Sequence, residues 1–330
     1  MSIKILAFFN NKGGVGKTSL VYHLAWMYAD LGKRVLAADL EPQANLSAAF
    51  FDEDRFTDLW SSGPPKTVFD CVRPLVERTG DIAPAHIEPV GERLASLVGD
   101  LSLSSFEDQL SENWPRCSDG DVGAFRVISA LWRVMQEAAK KHEADIILMD
   151  LGPNLGAINR AALIASDYVV VPLSPDLFSL QGLRNLGPTL RRWRTQWKDR
   201  AGKNPLGGPE LPAGKIEPIG YIVLQHVVRL DRPARAYDRW IAQIPSVYSK
   251  EVLGESQAQK LPVDKDPNCL ALLKHYRSLM PLAQDARKPM FHLKPADGAI
   301  GAHFQAAQNA YKDFVGVATE IARRIKVRLP

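Results

Sequence analysis

Cysteine is scarce in this sequence, with three residues in 330, and their positions show no paired spacing. Such a pattern excludes a disulfide framework and a thiolate metal centre as the basis of the fold. The seven histidines include no pair at i and i+4, so a helical histidine metal site is not indicated either. The three cysteines are Cys71, Cys117 and Cys269.

Long apolar stretches are also missing, and Lys4 interrupts the apolar residues at the N-terminus. Neither a signal peptide nor a membrane-spanning helix is therefore expected, and the sequence predicts a cytoplasmic protein. No repeat, low-complexity tract or heptad pattern stands out, and the net charge of +4 says little about partners. We expect one continuous α/β domain over residues 1–330, a length that suits a single large core.

Two lysines frame a glycine-rich segment near the start of the chain. Residues 11–19 read Asn-Lys-Gly-Gly-Val-Gly-Lys-Thr-Ser. An apolar run at 3–9 predicts a buried strand before this segment, and apolar residues at helical spacing up to Gly32 predict a helix after it. In that setting, backbone N–H groups and the positive end of the helix would hold a polyphosphate. The general phosphate-loop pattern is met at 16–18, whereas Asn11 replaces its first glycine.

Two further apolar segments end in carboxylates. One leads into Asp39 and Glu41, and another leads into Asp150 and a Gly-Pro turn. Additional strands are predicted at 168–173 and 219–224, separated by helical stretches. This alternation is typical of an α/β fold with a single doubly wound, mostly parallel sheet and helices on both faces. Because ligands bind beyond the C-terminal ends of such strands, the glycine-rich loop and both carboxylate motifs should converge on one crevice.

The segment 12–18, Lys-Gly-Gly-Val-Gly-Lys-Thr, resembles the deviant Walker A loop of the ParA/MinD family, and ParA-like partition ATPases in particular. The family consists of dimerising P-loop ATPases that position DNA, protein or membrane cargo. The resemblance implies a P-loop NTPase fold with ATP and Mg²⁺ as ligands. The ATP-binding residues that it implies are Lys12, Gly13, Gly14, Val15, Gly16, Lys17, Thr18, Ser19 and Gln225. For Gln225, a surface glutamine at a strand end is an equally good interpretation.

The same resemblance assigns roles to charged residues. Lys17 would hold the β- and γ-phosphates. Lys12 would reach across a dimer interface to the partner's ATP, which makes hydrolysis depend on dimerisation, as an arginine finger supplied in trans does. The Mg²⁺ site would consist of Thr18, Asp39 and Asp150, partly through water.

Glu41 departs from the family pattern Asp-x-Asp-Pro-Gln, in which an aspartate orients the attacking water. Glutamate keeps the charge and adds a methylene, and a misplacement of about 1 Å can cost roughly a hundredfold in rate. We therefore expect slow hydrolysis and a long-lived ATP state. The implied catalytic residues are Lys12, Lys17, Asp39 and Glu41.

Other parts of the chain match the family less well. Residues 51–124 are expected to form loops or small helices peripheral to the sheet, and 202–214 a long surface loop. Apolar spacing over 125–139 predicts one helix packed on the sheet, and a final helix over 304–325 is interpreted as core rather than as a membrane helix. Paired thiolates are missing, which argues against the iron–sulfur relatives of this superfamily. Since no helix-turn-helix precedes the loop, an autorepressor role is not expected.

Basic residues cluster in a predicted helix after Pro188, after the strand that ends near residue 225, and at the C-terminus. A solvated helix face is an equally good interpretation of any one cluster. Three clusters in an ATPase of this family favour sequence-independent binding to a DNA backbone. The predicted DNA-binding residues are Arg191, Arg194, Lys198, Arg232 and Arg235.

Two functions follow from these residues. The first is a ParA-like ATPase whose ATP homodimer binds nonspecific DNA, associates with the nucleoid and positions or segregates DNA or protein cargo, with a partner or adaptor protein stimulating hydrolysis. The second is a MinD-like or regulatory switch whose ATP dimer recruits a protein effector or a membrane. Membrane association is the less favoured of these, because the final helix has the pattern of a core helix.

Overall fold

The computed structural model describes residues 2–330 except 62, 64–65, 227–234, 257–260, 275 and 277–278, and it leaves out the side chains of 225–226 and 235–237. Within this range, eight strands form one sheet. They are β1 (Lys4–Phe8), β2 (Val35–Asp39), β3 (Glu88–Pro89), β4 (Leu94–Leu97), β5 (Ile146–Asp150), β6 (Tyr168–Leu173), β7 (Glu217–His226) and β8 (Cys269–Lys274). Their order across the sheet is β3-β4-β2-β5-β1-β6-β7-β8, and all pairs are parallel except β3 with β4.

The described α-helices cover both faces of this sheet. They are α1 (Lys17–Asp30), α2 (Asn45–Phe50), α3 (Glu53–Leu59), α4 (Val68–Val76), α5 (Phe106–Arg116), α6 (Val122–Ile128), α7 (Ala130–His142), α8 (Ala157–Ala165), α9 (Leu177–Ala201), α10 (Arg235–Ile241), α11 (Ile244–Val247), α12 (Leu279–Asp285) and α13 (Ala302–Ile325). A short π-helix, Tyr248–Leu253, follows α11.

Two apolar layers form the core. One contains buried residues of α1, α12 and α13 against one side of the sheet. The other contains buried residues of α4 through α9 against the opposite side. The predicted doubly wound parallel sheet with helices on both faces is therefore confirmed, and the central strands β2 and β5 are buried along their whole length, as their continuous apolar sequences require.

The region 51–124 corrects one expectation, because it contributes two strands to the sheet. β4 is buried throughout and pairs in parallel with β2, with Leu94 opposite Val35. β3 then forms a short antiparallel edge. Strands of four and two residues are too short to show an alternating or apolar pattern, which is why the sequence indicated only peripheral loops and helices.

The helix predicted over 125–139 is divided in two at Ser129, whose hydroxyl donates to the Phe125 carbonyl at 2.7 Å. Its predicted core-facing residues are nevertheless buried, including Phe125 and Met135. Residues 202–214 contain no helix or strand, as expected. The final helix α13 buries Phe314, Ile321 and other apolar residues in the core, and none of the described helices combines the length and apolar character needed to cross a bilayer.

Candidate nucleotide site

The strand register brings the three sequence motifs to one edge of the sheet. Asp150, the last residue of β5, lies between Asp39 of β2 on one side and Phe8 of β1 on the other. Since β1 leads directly into the glycine-rich loop, that loop and both aspartates meet beyond the C-terminal ends of three adjacent strands. A cleft of about 650 Å³ opens there, and it is lined by the loop, Glu41 and Pro153.

The loop adopts a backbone that depends on glycine. Gly14 and Gly16 have φ values of +70° and +86°, in the left-handed region that glycine enters without strain. Gly16 is the N-cap of α1, so the unpaired N–H groups of the first helical turn face the cleft. This arrangement suits an anion and in particular a phosphate chain.

Asn10, which no sequence motif had marked, anchors the loop to the sheet. Its side chain is buried; Nδ2 donates to the Pro172 carbonyl at 2.7 Å and Oδ1 accepts from the Lys12 N–H at 3.0 Å. An asparagine directly after an apolar strand was the available signal, because a buried residue of this type must satisfy its amide within the fold.

Lys17 begins α1 and is buried, with its Nζ donating to the Lys12 carbonyl at 3.3 Å. Burial lowers the pKa of this ammonium group, while the nearby Asp150 and Glu41 charges act in the opposite direction. A cation in this position has one neutral acceptor and no direct ion pair among the described residues. It is therefore suited to bind an anion in the cleft.

Asp39 is completely buried and well supplied with donors. It accepts from the Ser47 N–H and hydroxyl, both at 2.8 Å, and from the Glu41 N–H at 3.3 Å. Burial raises the pKa of Asp39 to about 7 despite the Ser47 hydrogen bonds. Gly99 packs against this carboxyl so closely that a Cβ there would lie 2.8 Å from the Asp39 Cγ.

Asp150 is also completely buried, but it is incompletely bonded. Its Oδ1 accepts from the Leu151 N–H at 3.1 Å, whereas Oδ2 has no hydrogen-bond partner among the described residues. Burial and then the neighbouring Asp39 charge raise the pKa of Asp150 well above its usual value, while the nearby Thr18 hydroxyl and Lys17 act in the opposite direction. An orphaned buried carboxylate oxygen is costly unless a ligand completes it.

The residues fit a nucleotide with Mg²⁺. Two adjacent carboxylates and a threonine hydroxyl are hard oxygen donors of the kind that Mg²⁺ prefers. No group of three or more histidine, cysteine, aspartate or glutamate side chains in the described part of the chain is arranged to hold a metal alone. In phosphate sites Mg²⁺ takes one or two carboxylates and completes its shell with phosphate and water.

Glu41 lines the cleft opposite the Gly152 turn. Its Oε2 accepts from Asn45 Nδ2 at 3.2 Å, and its side chain is half-buried. A Cβ built on Gly152 would lie 3.8 Å from the Glu41 Cγ, so the two turns that follow β2 and β5 are in contact range. The structure thus places Glu41 beside the loop, as predicted, and its role in hydrolysis stays a prediction.

Lys12 forms an ion pair with Asp176 in the single chain. Asp176 is also the N-cap of α9 and accepts from the Ser179 N–H at 2.9 Å. Sequence reasoning missed Asp176, although an aspartate directly before a helix is a favoured N-cap residue. The predicted reach of Lys12 to a partner's phosphates would require it to leave Asp176.

Two of the predicted DNA-binding arginines in α9 hydrogen-bond to backbone carbonyls of other segments. Arg191 donates to the backbone carbonyls of Glu251 and Val252, and Arg194 donates to the Ile216 carbonyl. Of the three predicted DNA-binding residues in α9, Lys198 is exposed and Arg191 and Arg194 are half-buried, and their role in DNA binding stays a prediction. Arg232 and the side chains of Gln225 and Arg235 lie outside the described residues.

Fold and site together define the class of P-loop nucleoside triphosphatases. The model of a protein family with the description "AAA domain" matches residues 3–201. The chain belongs to the ParA/MinD family of P-loop ATPases and is related to partition ATPases.

Individual relatives agree with this assignment. The sporulation initiation inhibitor protein Soj of Bacillus subtilis is 30% identical over 188 residues, covering 57% of this chain and 65% of Soj. The chromosome partitioning protein ParA of Caulobacter vibrioides is 28% identical, covering 58% and 64% respectively. The matches thus span less than two thirds of these relatives' lengths. The ATP complex of McdA from Cyanothece shares the fold, with a TM-score of 0.63 at 15% identity over 100% of this chain and 98% of McdA.

Proposed function

We propose that this chain binds and hydrolyses ATP with Mg²⁺ and switches between a monomer and an ATP-dependent homodimer. The observation that carries the proposal is the position of Asp39 and Asp150, buried side by side at the strand ends where the phosphate loop borders the cleft, with Asp150 Oδ2 lacking a partner among the described residues. McdA, a protein of the same fold, has been solved with ATP, which supports the choice of nucleotide.

Different residues of the site bind the phosphates, hold the metal and orient the water. The loop N–H groups and Lys17 bind the phosphate chain, and Thr18, Asp39 and Asp150 hold Mg²⁺, partly through water. Bound Mg²⁺ neutralises charge on the phosphates. Glu41 orients the attacking water from the half-buried wall of the cleft. Its longer side chain, compared with aspartate, slows the reaction and prolongs the ATP state.

Lys12 couples hydrolysis to assembly. In the single chain it is paired with Asp176, and in the dimer it turns to the partner's phosphates, where an added positive charge stabilises the transferring group. The phosphates of ATP attract this lysine more strongly than Asp176 does, because they carry more negative charge. ADP lacks the γ-phosphate, so the monomer is favoured after hydrolysis.

The ATP dimer binds DNA without sequence preference and positions or segregates cargo, and an adaptor protein stimulates hydrolysis. Support comes from the relatives that are named as partitioning proteins and from the excess of cations on α9. A MinD-like membrane attachment is less favoured, since the last helix α13 buries most of its apolar residues in the core, although Phe304 and Tyr311 are exposed.

The test compares oligomeric state and DNA retention with Mg-ADP and with a slowly hydrolysed Mg-ATP analogue. The proposal predicts a dimer, retained on nonspecific duplex DNA at low salt, with the ATP analogue only. A dimer that ignores DNA but is captured by anionic vesicles or by a protein partner would replace the DNA-positioning function with the regulatory one. A monomer under both conditions would contradict the switch.

A further inference from the structure

Helix α9 carries an unusual excess of positive charge. Its sequence contains six arginines and lysines and one acidic residue, Asp199. None of the six cations forms an ion pair within 4.0 Å with a carboxylate of the described residues. The six are Arg184, Arg191, Arg192, Arg194, Lys198 and Arg200.

Three of these cations are used by the fold. Arg191 and Arg194 donate to backbone carbonyls of distant segments. Arg200 donates to the Trp114 carbonyl at 3.0 Å, and its guanidinium lies 4.4 Å from the centre of the Trp114 ring. Their positive charges therefore have structural partners that a ligand would have to replace.

The other three cations of α9 do not donate to a backbone carbonyl of the described residues. Arg184, Arg192 and Lys198 are exposed, and the one hydrogen bond recorded for them is a 3.5 Å contact from Arg184 to Gln181. We name these three residues the α9 ridge. With a rise of 1.5 Å per residue, the ridge extends over about 21 Å and lies within an arc of about 120° of the helix surface.

The residue types in and around the ridge indicate which class of partner it binds. The exposed residues between its cations are polar or small: Asn185, Pro188 and Thr195. A helix that lies on a membrane inserts bulky apolar side chains, and the ridge has none. The exposed apolar residues of α9, Leu177 and Phe178, are in its first turn, next to the Asp176 cap. Arginine and lysine accompanied by amide and hydroxyl side chains are typical of contacts to a phosphate backbone.

We infer that the α9 ridge, Arg184, Arg192 and Lys198, is the surface that binds the phosphate backbone of duplex DNA, and that Arg191 and Arg194 do not. The inference deepens the proposed function and depends on it for the choice of DNA as cargo. The ridge contacts phosphates and not base edges, so binding is independent of DNA sequence and weakens as the salt concentration rises.

The experiment replaces all three ridge residues with glutamine and measures duplex DNA binding by fluorescence anisotropy across a salt series, with the Mg-ATP analogue and without nucleotide. A matched control replaces three exposed lysines on other surfaces, Lys140, Lys265 and Lys312, which gives the same change of three charges. The ridge variant should lose at least about tenfold in affinity. Its plot of log K against log salt should flatten by about 0.9 for each phosphate that the ridge no longer neutralises, and the control should stay within about threefold of wild type.

Separate readouts distinguish the possible failures. Dimer formation and ATP hydrolysis should be unchanged in the ridge variant, because none of its residues lies in the cleft. Wild-type affinity and salt slope in the ridge variant would overturn the inference and leave the ATP switch intact. An equal loss in the control would show that only net charge matters, and would overturn it too. A ridge variant that keeps its affinity for DNA but loses binding to phosphatidylglycerol vesicles would overturn the inference in favour of a membrane surface.

Discussion

Replacing Asp39 with asparagine should stabilise the nucleotide-free protein above neutral pH. The carboxyl is completely buried at the end of β2, and burial raises its pKa from 3.8 to about 7. One pKa unit corresponds to roughly 1.4 kcal/mol, so ionising Asp39 costs the folded protein about 4 kcal/mol relative to the unfolded chain.

The direction in which the free energy of unfolding changes with pH follows from proton binding. The folded protein holds the Asp39 proton more tightly than the unfolded chain, so this group makes the free energy of unfolding fall as pH rises from about 4 to 7. Asparagine removes the charge and keeps an oxygen for Ser47, but it loses the bond from the Glu41 N–H, worth about 1 kcal/mol. The net gain should be about 3 kcal/mol at pH 8 and under about 1 kcal/mol at pH 5.

Urea unfolding at both pH values measures this difference, with Asp199→Asn as a control on the exposed face of α9. The control should change the free energy of unfolding little at either pH. Adding Mg-ATP should reduce the advantage of Asp39→Asn, because the wild-type carboxylate then gains a cation. An equal gain at pH 5 and pH 8, or a loss at pH 8, would refute the reasoning from the buried charge.

Four other substitutions test the cleft. Lys12→Ala should abolish hydrolysis and the ATP dimer, and it should change the monomer's affinity for a fluorescent ATP analogue less than about threefold. Lys17→Ala should instead weaken nucleotide binding by at least about a hundredfold. Unaffected hydrolysis in Lys12→Ala would show that this lysine has no role in trans. Glu41→Asp should raise phosphate release by about tenfold or more, and equal or lower turnover would show that Glu41 is already well placed. Asp176→Asn keeps a good helix cap but frees Lys12, so it should lower the protein concentration needed for the ATP dimer, and an unchanged concentration would contradict the competition.

Much of the site could be predicted because its parts are local in sequence. The phosphate loop follows a strand and precedes a helix, and Asp39 and Asp150 each end an apolar strand, so parallel pairing alone places them together. The partner of Lys12 could not be found in this way. Asp176 is 164 residues away, and its helix cap identifies a helix start but not the lysine that it contacts.

The basic surface shows a related limit. Helical spacing correctly indicated that Trp193 and Trp197 face the core. It could not indicate that the π-helix Tyr248–Leu253 would cover Arg191, or that the Ile216 carbonyl would accept from Arg194, because both contacts depend on distant chain segments. Similarly, β4 is recognisable as a sheet strand only when β2 is beside it.

The most direct test of the whole account is the molar mass of the protein, measured by sedimentation with a slowly hydrolysed Mg-ATP analogue. Wild type is predicted to have the mass of two chains with the analogue and of one chain with Mg-ADP, and Lys12→Ala that of one chain with either. A wild-type protein that is saturated with the ATP analogue and still sediments as a single chain at every concentration would contradict the account.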